Sequence, residues 1–241
     1  MSCYRIEMGL GLAEIAGAML SRAEQRVEVS AQNLANTATP GYKARRAFST
    51  LLSSNSDKDV VNGATMSTSV DLTSGQLRTT GAPLDLAISG SGFFSVRTSD
   101  RVFYTRNGQF DRDADGKLSL QGMALQGASG DIVVPHGNPK ILADGTVLDG
   151  EEPVGRIALV NFANAQALQP AGAGLFEAGD EPPVPVTSEL RQGALETSNV
   201  STADEMVAIM ASLRGAGSGQ RLVQLYDDLM GRMVSALSQQ S

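Results

Sequence analysis

Tryptophan is absent from this chain and only 5% of its residues are aromatic, which argues against one thick core or an aromatic-lined binding surface. There is one cysteine, Cys3, so a scaffold stapled by intramolecular disulfides is excluded. The one histidine, His136, lies between Pro135 and Gly137 in a loop-like stretch. A two-histidine metal site or a Ser-His-Asp triad therefore has no second or well-placed partner. Basic residues are outnumbered, 19 Lys and Arg against 26 Asp and Glu, and the charge footprint of a nucleic-acid or anionic-membrane binder is missing. No run approaches the ~20 apolar residues of a membrane span. The opening "MSCYRIEMGLGLAEIAG" lacks a basic n-region leading into an apolar stretch, so no cleavable signal peptide is expected.

Glycine, by contrast, is abundant at 26 of 241 residues, which suits short strands, tight turns and close helix contacts. Both ends carry helical periodicity. Near the start, Ile6, Ala13, Leu20, Val27 and Leu34 form an apolar column spaced by seven, widened by Leu10. Near the end the column is Ile209, Ala216, Val223, Met230 and Leu237, joined by Met206, Met210, Leu213, Tyr226 and Met233. Ser201 with Asp204, and Thr202 with Glu205, have the spacing of a capping box. The glycines of "GAGSG", residues 215–219, either bend this last helix or let another backbone approach it closely.

Between the helices, "LDLAI", "GFFSVR", "RVFYTR", "GQFDRD", "GKLSL", "DIVVP", "GTVL" and "RIALVNF" have strand length and are punctuated by Gly, Asp, Asn or Pro. The expected fold is α+β: two long terminal helices packing together in coiled-coil fashion around a central all-β module. The expected segments are a helix over 1–37, a turn and extended linker over 38–74, a β domain over 75–195 and a second helix over 196–241. "AGDEPPVPV", residues 178–186, reads as a loop. The apolar stripes fit an intramolecular hairpin and a bundle with neighbouring chains equally well, and the methionines suit either.

Motifs for catalysis and cofactor binding fail one by one. "DRDADG", residues 111–116, imitates a calcium loop, but the twelfth position is Gly122 rather than Glu; a hairpin turn is the better reading. "GSGFF" is too short for a dinucleotide loop and no P-loop pattern occurs. The neighbouring carboxylates Glu151 with Glu152 and Asp227 with Asp228 do not face one site. No catalytic, cofactor or metal site is expected.

One string remains. "NLANTATPGYK", residues 33–43, resembles the N-terminal signature of the bacterial flagellar axial proteins, the rod and hook subunits. "TTGAPLDLAISGSGFFSVR" with "YTRNGQFDRDADGKLSLQG" resembles the β module of that family, and "QGALETSNVSTADEMVAIMASLR" its C-terminal signature. Gln32 and the GAGSG patch depart from the family pattern. The resemblance implies a structural, non-enzymatic subunit without cofactor or small-molecule substrate, most like a proximal-rod member, with a distal-rod member as the alternative. It implies terminal helices that pack with those of other rod subunits into a torque-transmitting tube around an export channel. It also implies passage through the flagellar type III export apparatus and assembly in the periplasmic basal body. Within the motif, Asn33, Leu34, Ala35, Asn36, Pro40, Gly41 and Tyr42 would end the first helix and turn the chain outward with Lys43. A non-flagellar coiled-coil scaffold or a secreted β-rich adhesin is the reading from another class.

Overall fold

The structure, a computed structural model, describes residues 3–51, 64–137, 139–164, 168–179 and 181–238; the side chains of 3–15, 49–51, 64–66, 233–234 and 236–238 lie outside that description. The fold is α+β, with two long helices flanking a central β module. The chain divides into two compact units. One comprises Met1–Leu34, Arg45–Ser69 and Ser201–Ser241; the other comprises Ala35–Ala44 and Val70–Val200.

In the first unit, helix α1 runs Cys3–Ala35 and α2 runs Thr202–Ser238. The stretch expected as a linker or extended arm carries a strand pair, Arg45–Leu51 with Ala64–Val70. Of the two capping-box candidates, the Ser201 hydroxyl accepts the amide of Asp204 at 3.4 Å, while Thr202 is already helical. Asp204 and Glu205 occupy the first turn, where carboxylates favour the positive end of the helix dipole. Helix α2 passes through the GAGSG patch unbroken.

In the second unit, all strand pairs are antiparallel. The largest sheet has ten strands among the described residues. Its main path is Gln169–Gly172, Leu175–Glu177, Val102–Thr105, Phe93–Arg97, Met123–Gly127, Leu118–Leu120 and Asp111–Arg112. A three-stranded sheet is built from Pro139–Ile141, Thr146–Asp149 and Glu152–Arg156. Two corrections follow. Of "DIVVP" only Asp131 lies in a strand, Gly130–Asp131, and Val133 adds a single bridge to Lys117. The Pro-rich 178–186 stretch is not all loop: Val184–Pro185 pairs with Val160 and Asn161. The amide of Val186 donates to Leu159 O at 3.0 Å, which makes the neighbouring Val160–Pro185 pair a non-hydrogen-bonded one. The proline ring there removes no ladder bond.

"DRDADG" forms the expected hairpin. Asp113 Oδ1 accepts the amides of Asp115 and Lys117 at 3.0 and 2.8 Å, and Gly116 turns at φ +82°. His136 is a surface residue whose ring meets Asp149 Oδ2 at 2.9 Å. That carboxyl is held below its ordinary pKa, chiefly by the His136 backbone amide.

Most of the scarce aromatics belong to this unit. Phe93, Tyr104, Phe162 and Phe176 form one buried cluster with Leu168, the Tyr104 and Phe162 rings meeting edge-on at 4.8 Å. Phe94 and Phe110 meet edge-on at 5.2 Å inside the larger aliphatic core. Each fully buried side chain of this size contributes about 1.5–3 kcal/mol, so the β unit has a core of its own without help from the helices.

Candidate functional site

The chain leaves α1 through a polar turn. Thr39 N donates to Asn36 O at 3.1 Å and Tyr42 N to Thr39 O at 3.3 Å. Pro40 cannot supply a helical N–H, and it biases Thr39 away from helix. Gly41 sits at φ +66°, and a Cβ there would lie 2.2 Å from the backbone carbon of Arg106. Only glycine satisfies both the conformation and the approach.

After Gly41 the chain continues into the β unit. Tyr42, Lys43 and Ala44 are all buried in the β unit. Lys43 Nζ donates to Glu196 Oε1 at 2.5 Å and to Thr73 O at 2.7 Å. The amide of Gly75 also donates to Glu196 Oε1, at 2.8 Å, and Arg106 Nη1 reaches Glu196 Oε2 at 3.3 Å. Arg106 Nη2 donates to Gly90 O at 2.8 Å, and its guanidinium carbon lies 5.5 Å from the centre of the Phe93 ring. The Glu196 carbonyl accepts the amide of Gly41 at 2.7 Å. Three residues on, Asn199 Oδ1 accepts the amide of Ala44 at 2.7 Å, and its Nδ2 donates to Asp71 O at 2.8 Å.

One carboxylate thus serves two cations, all three groups being 5% exposed or less. Burial lowers the pKa of both Lys43 and Arg106, with Glu196 opposing the shift in each. Buried charges persist only where partners and hydrogen bonds compensate the lost hydration. The knot has that completeness apart from Arg106 Nε, which has no partner. Such a cluster clamps chain segments and offers no open position to a substrate.

A second polar knot lies in the helical unit. Asn33, 1% exposed, accepts the amide of Arg45 at 2.8 Å and donates through Nδ2 to Arg45 O at 2.8 Å and Glu205 Oε1 at 2.7 Å. Gln32 Oε1 accepts from Arg45 Nη1 at 2.6 Å. The carboxylate once read as a capping-box partner is therefore turned to α1.

The helix stripes take an unexpected phase. On α1 the buried positions are Ala16, Ala23, Ser30 and Asn33; on α2 they are Ser212 and Gly219. A Cβ added at Gly219 would stand 3.6 Å from Ala16 O and 3.8 Å from Met19 Cβ. Of the two roles left open for the GAGSG patch, Gly219 performs close approach. The large apolar residues lie outside this seam. Leu20, Val27, Leu34, Ile209 and Tyr226 are half-buried, while Met206, Met210, Leu213, Val223 and Met230 are exposed, together with Val207, Leu222, Leu225 and Leu229. The side chains of Ile6, Leu10, Ala13, Met233 and Leu237 fall outside the described ones. In the turn motif Ala35 is exposed, and Leu34, Asn36 and Pro40 are half-buried.

Among the described residues no cluster of three or more His, Cys, Asp or Glu could hold a metal ion, and no helix is long and apolar enough to cross a membrane. The three resembling strings of the sequence meet instead in two structural knots that join residues 33–45 to residues 196–205.

Residues 87–148 match the flagellar hook protein FlgE/F/G D1 domain, and residues 191–236 match the C-terminal region of the flagellar basal body rod FlgEFG proteins. The chain is 34% identical to the flagellar basal-body rod protein FlgF of Escherichia coli (strain K12), over 87% of this chain and 91% of that one. The chain belongs to the flagellar basal-body rod protein family. It is 32% identical to FlgF of Salmonella typhimurium over 87% of this chain and 91% of the relative, and 28% identical to FlgG of Bacillus subtilis over 88% and 93%. Membership makes it a structural subunit of the basal body that assembles with other rod components. Sequence reasoning missed the two knots of this rod protein. Only Glu196, a lone acid in the buried strand Ala194–Glu196, and Lys43, a lone base after the helix-ending turn, could have hinted at one.

Proposed function

We propose that this chain is the FlgF-type subunit and that it builds the proximal rod. The higher identity to the FlgF relatives, 34% and 32% against 28% for FlgG of Bacillus subtilis, supports that subtype. Helices α1 and α2 pack with those of neighbouring subunits in coiled-coil fashion, forming a tube that transmits torque and encloses the export channel. The observation that carries this reading is the exposed face of α2. Met206, Val207, Met210, Leu213, Leu225 and Leu229 are each 48–61% exposed, more large apolar surface than a free helix face keeps in water without a partner. The stripe positions Ile6, Leu10, Ala13, Leu20, Val27 and Leu34 on α1, and Ile209, Val223, Tyr226, Met230, Met233 and Leu237 on α2, complete that interface. The subunit leaves the cytoplasm through the flagellar type III export apparatus and assembles in the periplasm.

Electron microscopy of basal bodies from a strain lacking the gene tests the reading. Non-motile cells whose basal bodies stop short of the distal rod and hook are expected. A complete rod and hook would overturn it.

A further inference from the structure

The helical unit has a seam that packing alone leaves free to slide. Its buried positions are Ala16, Ala23 and Ser30 on α1, spaced by seven, and Ser212 and Gly219 on α2, also spaced by seven. Small side chains can approach closely, yet they interdigitate little. Displacing α2 by one heptad puts serine where glycine stood and changes the fit slightly. Such a slip moves the helix by about 10 Å at 1.5 Å per residue. It would carry the exposed apolar face of α2 out of step with the half-buried Leu20 and Val27 of α1.

Against this background Asn33 stands out. It is 1% exposed, three residues beyond Ser30 on the buried side of α1. Its orientation is fixed from within its own segment, because Oδ1 accepts the amide of Arg45 and Nδ2 donates to Arg45 O. The other amide hydrogen points across to α2, onto Glu205 Oε1 at 2.7 Å. Glu205 is seven residues before Ser212 and fourteen before Gly219, so it marks the N-terminal end of the same seam. Contacts of Asn33 with Glu205, and of Ala16 and Met19 with Gly219, also fix the helices as antiparallel. A slip in either direction would leave a buried amide and a carboxylate without each other, a directional penalty that small-residue packing does not supply.

We propose that Asn33 and Glu205 form the register key of the helix pair: one hydrogen bond that selects a single sliding position of α2 on α1. Asn33 is a positioning residue here, acting on the interface through the placement of α2. The register stands apart from the rod reading; only its consequence for assembly rests on that reading.

The key predicts a disulfide-trapping pattern. A Cβ at Gly219 lies 3.8 Å from Met19 Cβ, the mean separation in disulfides. In the full-length chain with Cys3→Ser, in cells treated with the two-electron thiol oxidant diamide, M19C/G219C forms an intramolecular disulfide and M19C/S212C, one heptad out, does not, as read by mobility on non-reducing gels. N33D sets two carboxylates against each other, and the M19C/G219C yield drops at least fivefold. N33D/E205Q restores a hydrogen bond of reversed polarity, from the glutamine amide to the aspartate, and brings the yield back within twofold of the parent. E205Q alone keeps an acceptor for Asn33 and stays within twofold. The proposal is overturned if M19C/G219C never crosslinks, if N33D leaves its yield unchanged, or if N33D/E205Q is no better than N33D. The last outcome would confine Asn33 to holding Arg45. Basal-body recovery from the same cells reports separately on the rod reading, since trapping is scored on the chain itself.

Discussion

Replacing Glu196 by glutamine removes the one anion of the buried knot while keeping its shape. Lys43 and Arg106 are then left facing each other with side chains 0% and 5% exposed. Removing one partner of a buried ion pair costs about 3–5 kcal/mol, because the charge left behind keeps its desolvation penalty and loses its compensation. For chains of this size each kcal/mol lowers the melting temperature by about 2–4 °C, so a fall of about 6–20 °C is expected in the β-unit transition of the full-length chain. Circular dichroism in the strand band, or calorimetry, reads it. Lys43→Met supplies the comparison. It leaves one cation on one anion and costs mainly the hydrogen bonds to Glu196 and Thr73 O, about 1–3 kcal/mol. The order of the two variants carries the reasoning. A melting temperature for E196Q within about 2 °C of the parent, or K43M melting below E196Q, would refute the idea that Glu196 compensates both cations.

Gly41→Ala places a methyl group into the backbone of Arg106 at a left-handed residue; a loss of at least about 2 kcal/mol is expected in urea unfolding of the full-length chain, and non-motile cells on complementation. Along α2 the glycines divide. Gly217→Ala meets nothing within 4 Å and stabilises the helix by about 0.5–1 kcal/mol, read as increased helical signal, whereas Gly219→Leu forces α2 away from Ala16 and lowers it. Asp131 has its pKa lowered to about 2, first by the hydrogen bond from Lys117. A depressed carboxyl contributes stability that is present above its unfolded value and lost as the folded group protonates, so this contribution fades between pH 4 and pH 2. It is about 1 kcal/mol or less for so accessible a pair. Asp131→Asn should flatten that part of the acid limb in urea titrations from pH 5 to pH 2.

Periodicity made both helices legible, since apolar positions recurring at helical spacing need no tertiary information. The face they bury was not legible, because hydropathy gives weight to Leu, Ile and Met while the seam of this pair is made of Ala, Ser and Gly. Small residues gain their value from the backbone distance they permit, and that distance exists only in the folded unit. The strands show the same limit. "GFFSVR" and "RVFYTR" are rich in aromatic and β-branched residues and were plain. Met123–Gly127 and Glu189–Gln192 carry little β propensity and are strands because of their neighbours. Lys43 and Glu196 lie 153 positions apart, so no local pattern could pair them.

The two knots also explain why one family signature sits after α1 and another before α2. Residues 33–45 and 196–205 are far apart in the chain, yet key polar groups of one are answered by groups of the other: Asn33 by Glu205 in the helical unit, Lys43 by Glu196 and Ala44 by Asn199 in the β unit. Backbone and charged groups withdrawn from water need such partners, and an isolated change at either end leaves its counterpart buried alone. The pairing constrains the two strings jointly. It does so by different chemistry in each unit, a buried charge cluster where there is a large apolar core and a single directional hydrogen bond where the core is a thin seam. Met210 and Leu213 are 48% and 57% exposed, so polar substitutions there should be tolerated by the fold and felt only in assembly.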